Sequence, residues 1–235
     1  MSDLSYMDRC YADIAGRIRA AETRAGGGPV SLVAAVKYTD AEHINYLCHT
    51  LGVRDIGENR VQQLLEHWES IDREGVRFHF IGTLQKNKVK YVVDKVALIH
   101  SLDSLSLAEE IERQAVKRNL QVRVLVEINS GGESQKGGVL PAEAEAFCRA
   151  LGDFPHVELA GFMTMAPKCE KKEDYRKYFR ETSSLCLDIW QKKLHNIGRP
   201  ILSMGMSDSF EVAIEEGATV VRVGRALFTA PTEER

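Results

Sequence analysis

The chain has 235 residues, 44 % of them hydrophobic and 28 % charged, an ordinary globular composition at a length normal for one α/β barrel. A formal net charge of -3 argues against the basic face of a nucleic-acid or anionic-membrane binder, and no apolar run approaches the roughly 20 residues that span a bilayer. Five cysteines at wide spacing without a CxxC fit a reducing cytoplasm rather than a disulfide framework or structural zinc site, and the seven histidines show no metal-ligand spacing.

The first 25 residues are polar and mixed in charge, without the apolar core of a signal peptide, and read as a helix over about residues 4–25. Gly26-Gly27-Gly28-Pro29 stops it. The run Leu32 to Val36 then leaves no polar face, which predicts a parallel strand covered on both sides. From there strand-like runs at 30–36, 53–57, 77–82, 96–102, 122–129, 157–163, 200–205 and 219–224 alternate with helical patterns. Those patterns fall at 40–50, 60–71, 85–94, 106–119, 141–151, 171–194 and 209–217. Eight strands with helical crossovers predict a (β/α)₈ TIM barrel, with a doubly wound open sheet as the second architecture. The N-terminal helix would complete the outer ring. No linker, repeat or low-complexity tract divides residues 1–235, which read as a single domain.

In a barrel, sites are built at the C-terminal strand ends, and the unusual residues fall there. Strand one ends in Lys37, followed by a helix start with Thr39 or Asp40 as cap. Strand two runs into Asn59, either a cofactor contact or a cap paired with Gln62. Strand three carries His79, a satisfied core histidine or a ligand contact, and ends at Gly82. Strand five ends in Asn129 and enters GGESQKGG (131–138), which reads as a mobile loop and not a P-loop. Strand seven ends in Ser203-Met204-Gly205-Met206-Ser207, with Asp208 and Glu211 spaced as a capping box. Strand eight carries Arg222, which must sit at an edge or point into the mouth at a partner. It ends in Gly224-Arg225, a tight turn or the opening of a short phosphate-binding helix.

A lysine at a strand end, a phosphate cradle after strands seven and eight and an arginine inside the last strand together suggest pyridoxal 5′-phosphate (PLP), which bonds a lysine as a Schiff base and needs a partner for its ring nitrogen. The bland alternative for Lys37 is a strand-end lysine reaching into water. Six blocks sharpen the choice: AAVKYT (34–39), IGENRVQQ (56–63), FHFIGTLQKNKVKYV (78–92), IHSLDS (99–104), GFMTMAP (161–167) and LSMGMSDSFEVAIEEGATVVRVGRALF (202–228). With them the chain resembles the YggS/PROSC family, the pyridoxal phosphate homeostasis proteins, over nearly its whole length.

That resemblance implies a barrel similar to the N-terminal domain of bacterial alanine racemase. It makes Lys37 the Schiff-base lysine and puts Ser203, Gly224 and Arg225 on the phosphate. It puts Arg222 near the pyridine nitrogen, Asn59 in the cofactor pocket and His79 as a lesser contact. It implies a cytoplasmic monomer that carries PLP, meets PLP-dependent apo-enzymes transiently and turns nothing over. An arginine at the ring nitrogen weakens the ring as an electron sink, and racemisation needs a second acid–base group on the opposite face, which racemases draw from a partner subunit and a second domain. The alternatives are a PLP-dependent racemase or lyase, and a barrel for another phosphorylated ligand. Tyr38-Thr39 after the lysine and the 131–139 loop depart from the family's usual pattern.

Overall fold

The expected first strand forms β1 (Ser31–Ala35). It is followed in parallel order by β2 (Asp55–Glu58), β3 (Arg77–Phe80), β4 (Leu98–Leu102), β5 (Val122–Ile128), β6 (Val157–Thr164), β7 (Ile201–Ser203) and β8 (Val220–Val223). β8 returns to β1 and closes the barrel, with Val33 opposite Arg222. The computed structural model describes residues 3–37, 39–133, 137–192 and 199–229. Part of the loop read as mobile, residues 134–136, therefore lies outside the described residues, as does Tyr38. β7 is only three residues long and pairs with β8 at a single register position, Ser203 opposite Val220.

The helices are α1 (Tyr6–Ala25), α2 (Ala41–Asn45), α3 (Val61–Ser70), α4 (Leu105–Arg118), α5 (Ala144–Ala150), α6 (Arg176–Gln191), α7 (Phe210–Glu215) and α8 (Arg225–Phe228). α1 buries Met7, Cys10, Ile14, Ile18 and Ala21, one residue every three or four, the period of a single helix face. Each fully buried isoleucine on that face stabilises the fold by about 2 kcal/mol. α1 lies against α7 and α8, tied by Arg17–Glu211 at 2.9 Å and Arg24–Glu215 at 2.7 Å, so it completes the outer ring as expected. Asp40 caps α2, accepting from the His43 amide at 3.0 Å.

Two local expectations are corrected. The segment 85–94 forms a 3₁₀ turn over Lys86–Tyr91 and not a regular α-helix. Val89 and Val92, both fully buried, are three residues apart, the spacing that one side of a 3₁₀ turn buries. The capping box at Asp208 does not form. Ser209 Oγ accepts from the Met206 amide at 3.2 Å, while Glu211 is held by Arg17 and lies 3.5 Å from Lys172.

Strand alternation divides the core in two. Val124, Val126 and Ile128 of β5 face the helices, in one cluster with Leu107 and Ile111 of α4. Inside the barrel Leu98, Leu125, Ala160 and Met163 form a small apolar plug. Beside it the barrel takes buried polar side chains: Asp55, His79, His100, Glu127, Ser203 and Arg222. Such groups cost the fold unless partnered, and which of them are partnered defines the site.

Candidate functional site

Lys37 opens onto a cavity of about 370 Å³ at the C-terminal strand ends, within the range of small-molecule sites. Asn59 and Gln63 line it from the β2–α3 corner, Gly82 from the end of β3, Glu127 from β5 and Met165 from beyond β6. Gly82 is required there, because a Cβ would fall 2.2 Å from the Asn59 carbonyl oxygen. Among the described residues no group of three or more His, Cys, Asp or Glu could hold a metal ion, and no helix is long and apolar enough to cross a membrane.

Asn59 is not a helix cap. α3 begins at Val61 with no side-chain capping bond. The Asn59 Oδ1 and Gln63 Oε1 atoms are buried without a hydrogen-bond partner, an arrangement that costs about 1–3 kcal/mol per group unless a ligand supplies the donor. Below them Glu58 Oε1 meets His67 Nδ1 at 2.5 Å, and His67 Nε2 reaches the Thr39 carbonyl at 3.0 Å. That carbonyl can only accept, so Nε2 carries a hydrogen. Burial pushes the Glu58 carboxyl up, and the hydrogen bond to Glu58 raises His67. The pair clamps the turn after Lys37 onto the end of β2.

Arg222 points into the barrel. Its Nη1 donates to the Ser203 carbonyl at 2.7 Å and to Ser203 Oγ at 2.5 Å, and its Nη2 donates to the Thr164 carbonyl at 3.0 Å. Burial lowers its pKa to about 10, and nearby Glu127 opposes the fall. Its Nε–H has no hydrogen-bond partner among the described residues. The Glu127 carboxyl likewise makes no hydrogen bond among them, and only 8 % of the residue is exposed. Burial first, then Asp103, pushes this carboxyl up to about 7, against the pull of Arg222.

Two expected contacts have their side chains paired inside the barrel. His79 is a satisfied core histidine, with Nε2 on Asp55 Oδ1 and Nδ1 on His100 Nε2, both at 2.9 Å. Ser203 is fully buried, and its hydroxyl is taken by Arg222 and by His100 Nδ1 at 2.9 Å. This leaves its hydroxyl committed inside the barrel and not turned to the rim. Gly224 and Arg225 do not line the 370 Å³ cavity. They sit across β1 from it, a Cβ on Gly224 lying 3.3 Å from the Ala35 carbonyl. Gly205, with φ +87°, lets the strand-seven loop fold against Phe210 and Ala213. Sequence reasoning missed Glu127, Gln63, His67 and His100. For Glu127 a signal existed: an acid at an inward position of an apolar strand, the reasoning applied to Arg222.

A barrel with a lysine at the end of its first strand and an arginine inside its last defines a class, and a family model described as alanine racemase, N-terminal domain, matches residues 11–231. Alanine racemase of Clostridium difficile shares that fold at a TM-score of 0.70 and 16 % identity, over 93 % of this chain and 58 % of its own. The full-length relatives are more specific. The pyridoxal phosphate homeostasis protein of Aquifex aeolicus is 45 % identical, over 90 % of this chain and 92 % of its own. That of Escherichia coli K12 is 32 % identical, over 98 % and 97 %. PipY of Synechococcus elongatus, solved with PLP bound, superposes at a TM-score of 0.77 with 30 % identity, over 91 % of this chain and 99 % of its own. The chain belongs to the family of pyridoxal phosphate homeostasis proteins.

Proposed function

We propose that this chain binds PLP at Lys37 and serves intracellular PLP homeostasis as a carrier or regulator without amino-acid turnover. The observation that carries the reading is the mouth itself: Lys37 shares it with two buried amide oxygens, of Asn59 and Gln63, that lack donors. PLP, when bound, supplies an aldehyde that condenses reversibly with a primary amine, a ring hydroxyl, a basic ring nitrogen and a phosphate dianion. Lys37 supplies the amine. The two amide oxygens suit a hydroxyl donor. Arg222, held on one side by Ser203 and Thr164, keeps an Nε–H for a ring-nitrogen acceptor. Gly224 and the Arg225 and Ala226 amides suit the phosphate, because the first N–H groups of a helix lack an intrahelical partner, whereas the Leu227 amide is already bonded to the Gly224 carbonyl at 2.9 Å. Asn59, Arg222, Gly224 and Arg225 thus remain the proposed contacts, while Ser203 and His79 act from inside the barrel.

Borohydride reduction of the PLP-loaded protein, followed by peptide mass mapping, tests this. A pyridoxyl label on Lys37 is expected; a label spread over surface lysines refutes the reading. Glu127 sustains a second reading, a PLP-dependent racemase or lyase, since a buried carboxyl raised to about 7 can exchange protons near neutral pH. Amino-acid screening separates the two: product formed by the wild type and lost in Glu127→Gln marks an enzyme.

A further inference from the structure

The buried polar chain inside the barrel has one direction. A guanidinium can only donate, and Arg222 Nη1 donates to Ser203 Oγ at 2.5 Å. The serine's own hydrogen can then go to His100 Nδ1 at 2.9 Å. When that nitrogen accepts, a neutral His100 carries its hydrogen on Nε2 and gives it to His79 Nδ1 at 2.9 Å. His79 in turn donates from Nε2 to Asp55 Oδ1 at 2.9 Å. An ionised carboxylate can only accept, and Asp55 is fixed from the far side by Arg77, through two contacts of 2.6 Å. With both rings neutral, the hydrogens point from Arg222 to Asp55. The chain touches β8, β7, β4, β3 and β2 in turn.

We propose that Asp55, His79, His100 and Ser203 form a one-way relay of positioning residues that fixes the Arg222 guanidinium for the ring nitrogen of the ligand. This rests on the reading of the Lys37 mouth as a PLP site. The relay fixes one serine hydrogen through two imidazole rings. If His100 carried its hydrogen on Nδ1, Ser203 Oγ would accept from both neighbours and its own hydrogen would lose its acceptor. His79 would then have to donate from both nitrogens, which only an imidazolium does. With both rings neutral, every donor and acceptor in the chain is used, and Arg222 keeps both Nη1 hydrogens on Ser203. Burial above all holds His100 well below the usual imidazole range, which supports a neutral His100.

The first test needs no variant. In the ¹⁵N-histidine-labelled full chain at pH 7, without ligand, two-bond proton–nitrogen correlations should show both His79 and His100 as neutral Nε2–H tautomers. An Nδ1–H tautomer or an imidazolium at either ring overturns the relay. The second test compares PLP affinity in wild type, His100→Phe and His100→Gln. The amide of glutamine can accept from Ser203 and donate to His79, so this variant should bind near wild type. Phenylalanine cannot do either, and PLP should bind about tenfold more weakly, with the borohydride label still on Lys37. Unchanged binding by His100→Phe, or equal loss in a folded His100→Gln, refutes the relay. If wild type itself takes no label on Lys37, the PLP reading falls, and the tautomer measurement still decides the relay.

Discussion

Replacing Glu127 by glutamine should alter how stability depends on pH more than it alters stability itself. The carboxyl is buried, makes no hydrogen bond among the described residues, and titrates at about 7 in place of its ordinary 4.5. In the folded protein it therefore binds a proton that the unfolded chain has released between these values. Its contribution is fully present below pH 4.5 and is lost as pH rises through 7. The difference of 7 minus 4.5 corresponds to about 3 kcal/mol. Glutamine keeps the shape and cannot ionise. Urea unfolding of both proteins at about pH 4.5 and pH 8 should show the variant gaining about 3 kcal/mol on the wild type across that interval. Profiles that stay parallel within about 0.5 kcal/mol would refute the claim that Glu127 is a desolvated acid.

Three further outcomes follow from named contacts. His67→Phe leaves the fully buried Glu58 without its 2.5 Å partner; it should destabilise the fold by about 3 kcal/mol in denaturant titration and slow pyridoxyl labelling of Lys37. Gly205→Ala forces a side chain onto φ +87° with its Cβ 2.6 Å from the Ala213 Cβ, and calorimetry should find Tm lower by about 5 °C. Burial pushes the thiols of Cys148 and Cys186 to about 12, whereas Cys169 is half-exposed; iodoacetamide should modify Cys169 first and the other two only on unfolding, as read by peptide mapping.

The barrel was legible because its signals are local. Leu32 to Val36 has no polar face, and Met7, Cys10, Ile14, Ile18 and Ala21 fall on one helix face. Lys37 was legible by position, since it stands where such a strand ends. Arg222 was legible as a charge that an apolar strand would not hold without a partner. The identity of its partners was not, because Thr164 and Ser203 are brought to it from two other strands, and His100, which holds Ser203, from a third. His79 illustrates the limit. RFHFIG is equally compatible with a ligand contact and a satisfied ring, and only the arrival of Asp55 on one side and His100 on the other decides it. The Asp208 capping box failed for a similar reason: Glu211 is drawn to Arg17, 194 residues away in sequence.

The closure of the barrel gives Arg222 a duty beside the proposed one. β7 offers β8 one paired position, and the rest of that junction depends on loop amides such as Met204 N to Val220 O at 3.0 Å. The guanidinium that grips Ser203 and Thr164 also rivets β6, β7 and β8 together from within. Slow amide exchange along this thin seam should therefore depend on a side chain and not only on its ladder. A guanidinium here reaches acceptors on two neighbouring strands from two separate nitrogens, which the single ammonium of a lysine cannot match, so barrel closure alone calls for an arginine whether or not a ligand is bound.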